Sequence, residues 1–230
     1  MIDITFDFRS DTPPEADPDS ASPTLRRYHQ LLWSKPLPSG EPFELDVTTP
    51  YVYLHHRSEL GEFSLSSDAV VPSFRWLTHI INQVPEADLE EFIYIGYTIG
   101  GMMVFPGNRL DGKMTINGAR GFHPSIRNRF DLTVECIRRH FLGKPNPLGD
   151  ALGRYADFFG QFGDFAGHVY FFQLQDLVHE ITSAVKFFMP FEDFTESPLP
   201  GTSDAYVGCR QRAIEFIESR NRRIAALERA

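Results

Sequence analysis

The sequence predicts an α+β fold, with a mainly antiparallel sheet from the N-terminal half packed against helices from the C-terminal half. Three observations predict it. Strand-like alternation and a hairpin pattern lie in the first half of the chain. Apolar residues at spacings of three and four dominate after Pro124. No regular strand–helix–strand alternation, the mark of a parallel sheet, runs through the chain.

The elements follow in order. Ile2, Ile4, Phe6 and Phe8 alternate with Asp3, Thr5, Asp7 and Arg9, the period-2 pattern of a half-buried strand. An acidic Pro/Asp/Ser loop spans 10–22. Ser22 as N-cap and Pro23 at the first helical position open a helix with Leu25, Tyr28 and Leu32 as its stripe, stopped at Lys35-Pro36. Tyr51 to His55 and Glu62 to Ser66 read as strands of a hairpin whose turn ends at Gly61. Pro72 to Val84 reads as a helix. Phe92 to Phe105 reads as a strand in which Gly100-Gly101 marks a bulge or a close backbone approach, and Lys113 to Asn117 pairs back on it.

The second half reads as helical. Ile126, Phe130, Val134, Ile137 and Phe141 line one helix face, closed at Gly143. Leu148 to Phe162 and Phe165 to His179 read as two Phe-dense helices, Ala184 to Met189 as a late strand, and Asp204 to Glu228 as a long terminal helix. With no repeat, low-complexity tract or clear linker, residues 1–230 are expected to form a single domain. Segment 204–230 is expected to pack on it or to mediate association.

Composition narrows the function classes. The chain has 230 residues, long enough to bury a core without a disulfide or metal staple, and the net charge is −9. An acidic balance argues against non-specific nucleic-acid binding. No apolar run approaches the ~20 residues of a membrane span, and the first residues lack signal-peptide character, so a cytoplasmic protein is expected. Cys136 and Cys209 form no metal or redox motif and read as buried thiols. No cofactor motif is present, and no metal ligand set is assigned. The 21 Phe read mainly as core, with some free to line a pocket or a subunit contact.

Charge is uneven. Segment 109–144 carries a local net of +5, against −5 for residues 1–22 and −6 for 145–196. The basic block either neutralises the acidic segments or faces an anionic ligand. Within it, Arg127, Asp131, Glu135 and Arg139 recur every four residues. They form either a carboxylate pair able to hold a metal or move a proton, or a surface ladder of ion pairs. Gly118-Ala119-Arg120-Gly121, after Thr115-Ile116-Asn117, suits an oxyanion at a helix start, or a structural Arg–carboxylate pair. Asp7 and Arg9 share a strand face, as a cleft or as a solvent-facing pair. His29 and Lys35 flank the end of the first helix. Asp17-Pro18-Asp19 reads as a solvated acidic turn. Asp111-Gly112-Lys113 imitates half of a nuclease signature but lacks the preceding acid.

Several segments resemble a bacterial family of unknown function: Phe6-Asp7-Phe8-Arg9-Ser10-Asp11, Thr24-Leu25-Arg26-Arg27-Tyr28-His29, Leu32-Trp33-Ser34-Lys35-Pro36, Phe105-Pro106-Gly107-Asn108, Thr115-Ile116-Asn117-Gly118-Ala119-Arg120-Gly121 and Phe130-Asp131-Leu132-Thr133-Val134-Glu135-Cys136. The resemblance runs over about residues 2–194, leaving the terminal helix outside. It implies a bacterial, cytosolic setting and no mechanism.

The expected function is binding of a small phosphorylated or carboxylated ligand at a cleft. Arg9, Lys35, Arg120 and Arg139 would hold the anion and Asp7 would orient them. Asp131, Glu135 and His29 are the acid–base candidates should the protein be an enzyme. The alternative is a partner-binding protein (inhibitor, antitoxin or defence-system subunit) that dimerises or docks through an Arg-rich outer face of 204–230, made of Arg210, Arg212, Arg220, Arg222, Arg223 and Arg229. A nucleic-acid-processing enzyme using the 109–144 block is the weaker alternative.

Overall fold

A computed structural model describes residues 1–71, 74, 77–110 and 112–227. The first turn of the expected helix from Pro72, Asp111 of the nuclease-like tripeptide, Glu228 and Arg229 lie outside them.

The N-terminal alternation does not form a strand. The Asp3 carboxylate accepts the backbone N–H (2.9 Å) and the hydroxyl (2.7 Å) of Thr5. Asp7 accepts the Arg9 N–H at 3.0 Å and starts a 3-10 turn over Phe8–Asp11. Short polar side chains thus take donors that a sheet ladder would need. The apolar side of the pattern still packs inward, through Ile2 and Phe8.

Two helices follow, α1 (Pro18–Ala21) and α2 (Pro23–Trp33). The Ser22 hydroxyl accepts the Leu25 N–H at 3.1 Å, as expected of an N-cap. Helix α2 buries Leu25, Tyr28, His29, Leu32 and Trp33. It ends at a two-residue antiparallel pair, β1 (Lys35–Pro36) with β2 (Pro42–Phe43).

The main sheet has three antiparallel strands in the order β3 (Leu54–Ser58), β4 (Gly61–Ala69) and β5 (Met102–Pro106). The expected hairpin is β3–β4, in register at Leu54 opposite Leu65, with Gly61 at φ +137° in the turn. Alternate β4 residues Phe63, Leu65 and Ser67 are buried. A serine therefore occupies an inward position.

The expected long strand from Phe92 is mostly helix. After α3 (Thr78–Ile81), α4 spans Glu86–Gly96, with Glu86 and Asp88 in its first turn, where carboxylates favour a helix. Only Met102–Pro106 is extended. Lys113–Asn117 is not a strand either: Thr115 caps α5 (Ile116–Phe122) by accepting the Gly118 N–H.

The next helix begins later than its apolar spacing suggests. Arg127 and Asn128 take positive φ (46° and 64°), so α6 runs Phe130–Phe141 and Arg127 lies off it. Gly143, at φ +64°, closes it as expected. The two expected Phe-dense helices are three short ones, α7 (Gly149–Gly153), α8 (Ala156–Gly160) and α9 (Phe165–Phe171), broken near Gly153 and Gly163. The late strand reduces to a single bridge, Val178 opposite Val185. The terminal helix α10 spans Ser203–Leu227. No helix among the described residues is long and apolar enough to cross a membrane.

Helix α10 is bonded into the centre of the molecule. Fully buried Arg220 donates to the carbonyls of Met102 (2.6 Å), Gly100 (3.0 Å) and Phe172 (3.0 and 3.1 Å). The Asn221 amide oxygen accepts the Gly100 N–H at 2.7 Å. A Cβ on Gly100 would sit 2.4 Å from the Ile217 carbonyl oxygen. The glycine is there for a close backbone approach, one of the two readings of the sequence. The core around this anchor is rich in Phe: Phe158, Phe159, Phe162, Phe171 and Phe172 pack edge-to-face and tilted.

Candidate functional site

Most residues singled out from the sequence are held by partners of their own, some interior (Arg120, Asp131, Glu135, His29) and some at the surface (Arg9). Arg120 is fully buried. It donates to Asp68 at 2.5 Å, to the Thr133 hydroxyl at 3.1 Å and to the Asn128 carbonyl at 3.2 Å. Asp131 is also fully buried and pairs with Arg129, not Arg127, at 2.5 and 3.1 Å, while accepting the Phe188 N–H at 2.8 Å. Glu135 is 3% exposed and receives Arg138 (2.7 and 3.0 Å) and Arg139 (2.8 Å). Of the two readings of this stripe, ion pairing is the one seen, although the carboxylates are interior and not on the surface. Arg139 also lies over Phe194. Asp7 and Arg9 form a pair between near neighbours at 2.6 Å, on a turn and not on a strand face. Arg9, Arg120 and Arg139, expected to hold an anion, each already hold a carboxylate of the protein.

His29 has no exposed edge. The Trp33 indole N–H donates to its Nδ1 at 3.1 Å, so Nε2 carries the proton and donates to the Ser67 hydroxyl at 2.9 Å. Burial, with the nearby Arg220 charge, brings its pKa down to about 3. A neutral ring donating to Ser67 cannot also withdraw a proton from it. Lys35 donates to the Phe171 carbonyl at 2.5 Å and lies over the Trp33 and Phe171 rings. Burial and Arg220 lower its pKa to about 8. Both cysteines are buried free thiols, pushed up to about 12 by burial. The described residues contain no group of three or more His, Cys, Asp or Glu placed to hold a metal ion.

A different set of polar groups is left open. Helix α1 packs against β4, placing Asp19 beside Asp68. Oδ1 of Asp19 is closed to solvent and has no hydrogen-bond partner among the described residues. Burial first, then the carboxylates of Asp68 and Asp17, push this side chain up to about 7. The Ala69 N–H and the Arg120 guanidinium oppose the shift. The Tyr53 hydroxyl is likewise closed off and unpartnered, and burial and the Asp19 charge raise its pKa. Buried polar atoms without partners are uncommon and ask for a group that completes them.

Tyr53 also lines a cleft of about 830 Å³ between residues 20–30 and 47–53. Arg26 shapes this cleft by donating to the carbonyls of Tyr53, Val47 and Val52, which pins the far wall to α2. Arg27, one residue on, is exposed, lines the same cleft, and has no acid partner among the described residues. The start of α2 offers no vacant N–H for an anion. The Asp11 carboxylate already accepts the Ser22 hydroxyl (2.6 Å) and the Thr24 N–H (2.9 Å).

Asp19, Tyr53 and Arg27 were missed from sequence. Asp19 looked like a solvated loop acid, and Arg27 was one of many arginines. The inward Ser67 on β4 announces a polar partner in the core, which is His29, and no local pattern marks the other three.

Three exposed or half-buried arginines of α10 are also engaged. Arg223 pairs with Asp176 (2.9 Å), Arg222 lies 3.9 Å from Glu218, and Arg212 donates to the Phe188 carbonyl. Arg220 is interior, so the expected Arg-rich outer face of this helix does not include it.

Comparison with known proteins finds no match among curated proteins and none among solved structures. A family model does match, over residues 2–224, so the terminal helix that the sequence resemblance left outside falls largely within it. The chain belongs to this family, described as a family of unknown function (DUF6994).

Proposed function

We propose that the protein binds a small, polar, anionic ligand in the cleft between the first half of α2 and loop 47–53. One observation carries this: Arg27, a cation with no acid partner among the described residues, and Tyr53, whose hydroxyl is buried with no partner among them, line the same cleft. The arginines first expected to do this are already neutralised by acids. The phosphate or carboxylate lies on the Arg27 guanidinium, which is suited to planar oxyanions. Hydroxyl or amine groups of the ligand lie along the wall that Tyr53 forms. Asp19, which neighbours Tyr53 behind this wall and is poised at about 7, holds or gives up a proton near neutrality.

Thermal-shift measurements with ribose 5-phosphate, ribose and inorganic phosphate test this. A ligand present at a hundred times its Kd stabilises the folded state by about 2.7 kcal/mol, several degrees in a chain of this size. The expected result is stabilisation by the phosphorylated sugar, lost in Arg27→Ala and reduced in Tyr53→Phe. If phosphorylated and carboxylated probes leave the melting temperature unchanged, this cleft is not a site for anionic ligands.

A further inference from the structure

The loop that forms the cleft wall opposite α2 is held from both sides. Asp46 accepts the backbone N–H and hydroxyl of Thr48 at 2.7 and 2.6 Å, and those of Thr49 at 3.1 and 2.5 Å. Arg26 of α2 takes the carbonyls of Val47, Val52 and Tyr53. Between these clamps Tyr51 stands at φ +62°, in the left-handed region where a side chain crowds its own backbone. Residues other than glycine persist there when their surroundings fix them, and such strain gathers at ligand clamps.

The Tyr51 side chain adds nothing to the core. It is the most exposed large apolar side chain among the described residues, and it lines the cleft. An aromatic ring held in water on a stiff loop is a ready stacking face, because little freedom is lost when a flat group lies on it. Arg27 lines the α2 wall, is exposed, and has no acid partner among the described residues. Both groups are open to solvent, so a ligand entering the cleft meets them directly. Ser20, Thr48 and Thr49 also line it, with hydroxyls that donate within the chain and keep lone pairs to accept.

We propose that the ligand of this cleft is a nucleoside 5′-monophosphate, an assignment that rests on the cleft being an anion site. The base stacks on Tyr51, the phosphate lies on Arg27, and ribose hydroxyls donate to the threonine side chains. At about 830 Å³ the cleft is toward the upper end of ligand pockets, with room for a base beside a sugar phosphate. Every base has a π-face, so the stack favours a nucleotide over a bare sugar phosphate without choosing among bases. The net charge of −9 opposes a polynucleotide.

Isothermal titration of the full chain with adenosine 5′-monophosphate, cytidine 5′-monophosphate, ribose 5-phosphate and adenosine tests it. Both nucleotides are expected to bind about tenfold more tightly than ribose 5-phosphate, the worth of one stacked base, and adenosine more weakly than its monophosphate. Tyr51→Ala should bring the nucleotides down to the affinity of ribose 5-phosphate and leave that affinity unchanged. Tyr51→Trp should keep the preference, and Arg27→Ala should weaken nucleotides and sugar phosphate alike. Both positions are exposed, so these variants leave the core intact. Equal binding of nucleotides and ribose 5-phosphate to the parent protein, or a preference that survives Tyr51→Ala, would overturn the nucleotide assignment and leave the cleft an anion site. Binding of none of the phosphorylated probes would overturn both.

Discussion

Asp131 and Asp19 are two carboxylates removed from water in opposite ways. Asp131 sits at the first turn of α6 with the Arg129 fork on one side and the Phe188 N–H on another, so its lone pairs are used. Asp19 sits on α1 with acids as neighbours and an oxygen that no described residue completes. The same contrast divides the arginines: Arg120, Arg129 and Arg220 are interior and fully bonded, whereas Arg27 keeps donors in reserve. Satisfied polar groups hold the fold, and unsatisfied ones mark where something else belongs.

The largest test of that contrast removes a satisfied partner. Asp131→Asn leaves Arg129 as a buried charge without its acid, and loss of one member of a buried pair costs about 3–5 kcal/mol. Chemical denaturation should show that loss; a change below 1 kcal/mol would mean the pair is not interior in solution. Next is Gly100→Ala, whose Cβ would press on the Ile217 carbonyl and shift α10 away from its anchor. Overpacking of this kind costs about 1–3 kcal/mol, read as a lower melting temperature.

Asp19 should behave oppositely to Asp131. An acid raised to about 7 when folded binds more protons folded than unfolded, so its contribution to stability falls as pH rises from about 4 to about 7. Asp19→Asn should flatten that part of the pH–stability curve and make the protein more stable at pH 8, each unit of upward shift corresponding to about 1.4 kcal/mol. Thermal melts across this range check it, and an unchanged curve contradicts it. Smallest of all, Arg27→Ala should alter stability by no more than about 0.5 kcal/mol, as for ordinary surface substitutions. Its effect belongs to ligand binding.

The fold was more legible than the site, for physical reasons. Ser22-Pro23, Gly61 and Gly143 announce a helix start, a hairpin turn and a helix end through backbone chemistry that operates locally. The N-terminal alternation misled because a turn closed by Asp3 and Asp7 buries Ile2 and Phe8 as a strand would. Phe92–Phe105 misled because β-branched and aromatic residues were weighed above the acidic helix start at Glu86. The site was harder because partnering is a tertiary property. Nothing local shows that Arg120 finds Asp68, 52 positions away, while Arg27 finds no acid among the described residues.

The most direct measurement is chemical-shift mapping of the isotopically labelled full chain titrated with ribose 5-phosphate, following arginine Nε–H and tyrosine ring resonances. Saturable shifts are expected at Arg27 and Tyr53, with Arg120 and Arg139 unmoved. Shifts at Arg120 or Arg139 with Arg27 silent would contradict the division between bonded and open polar groups.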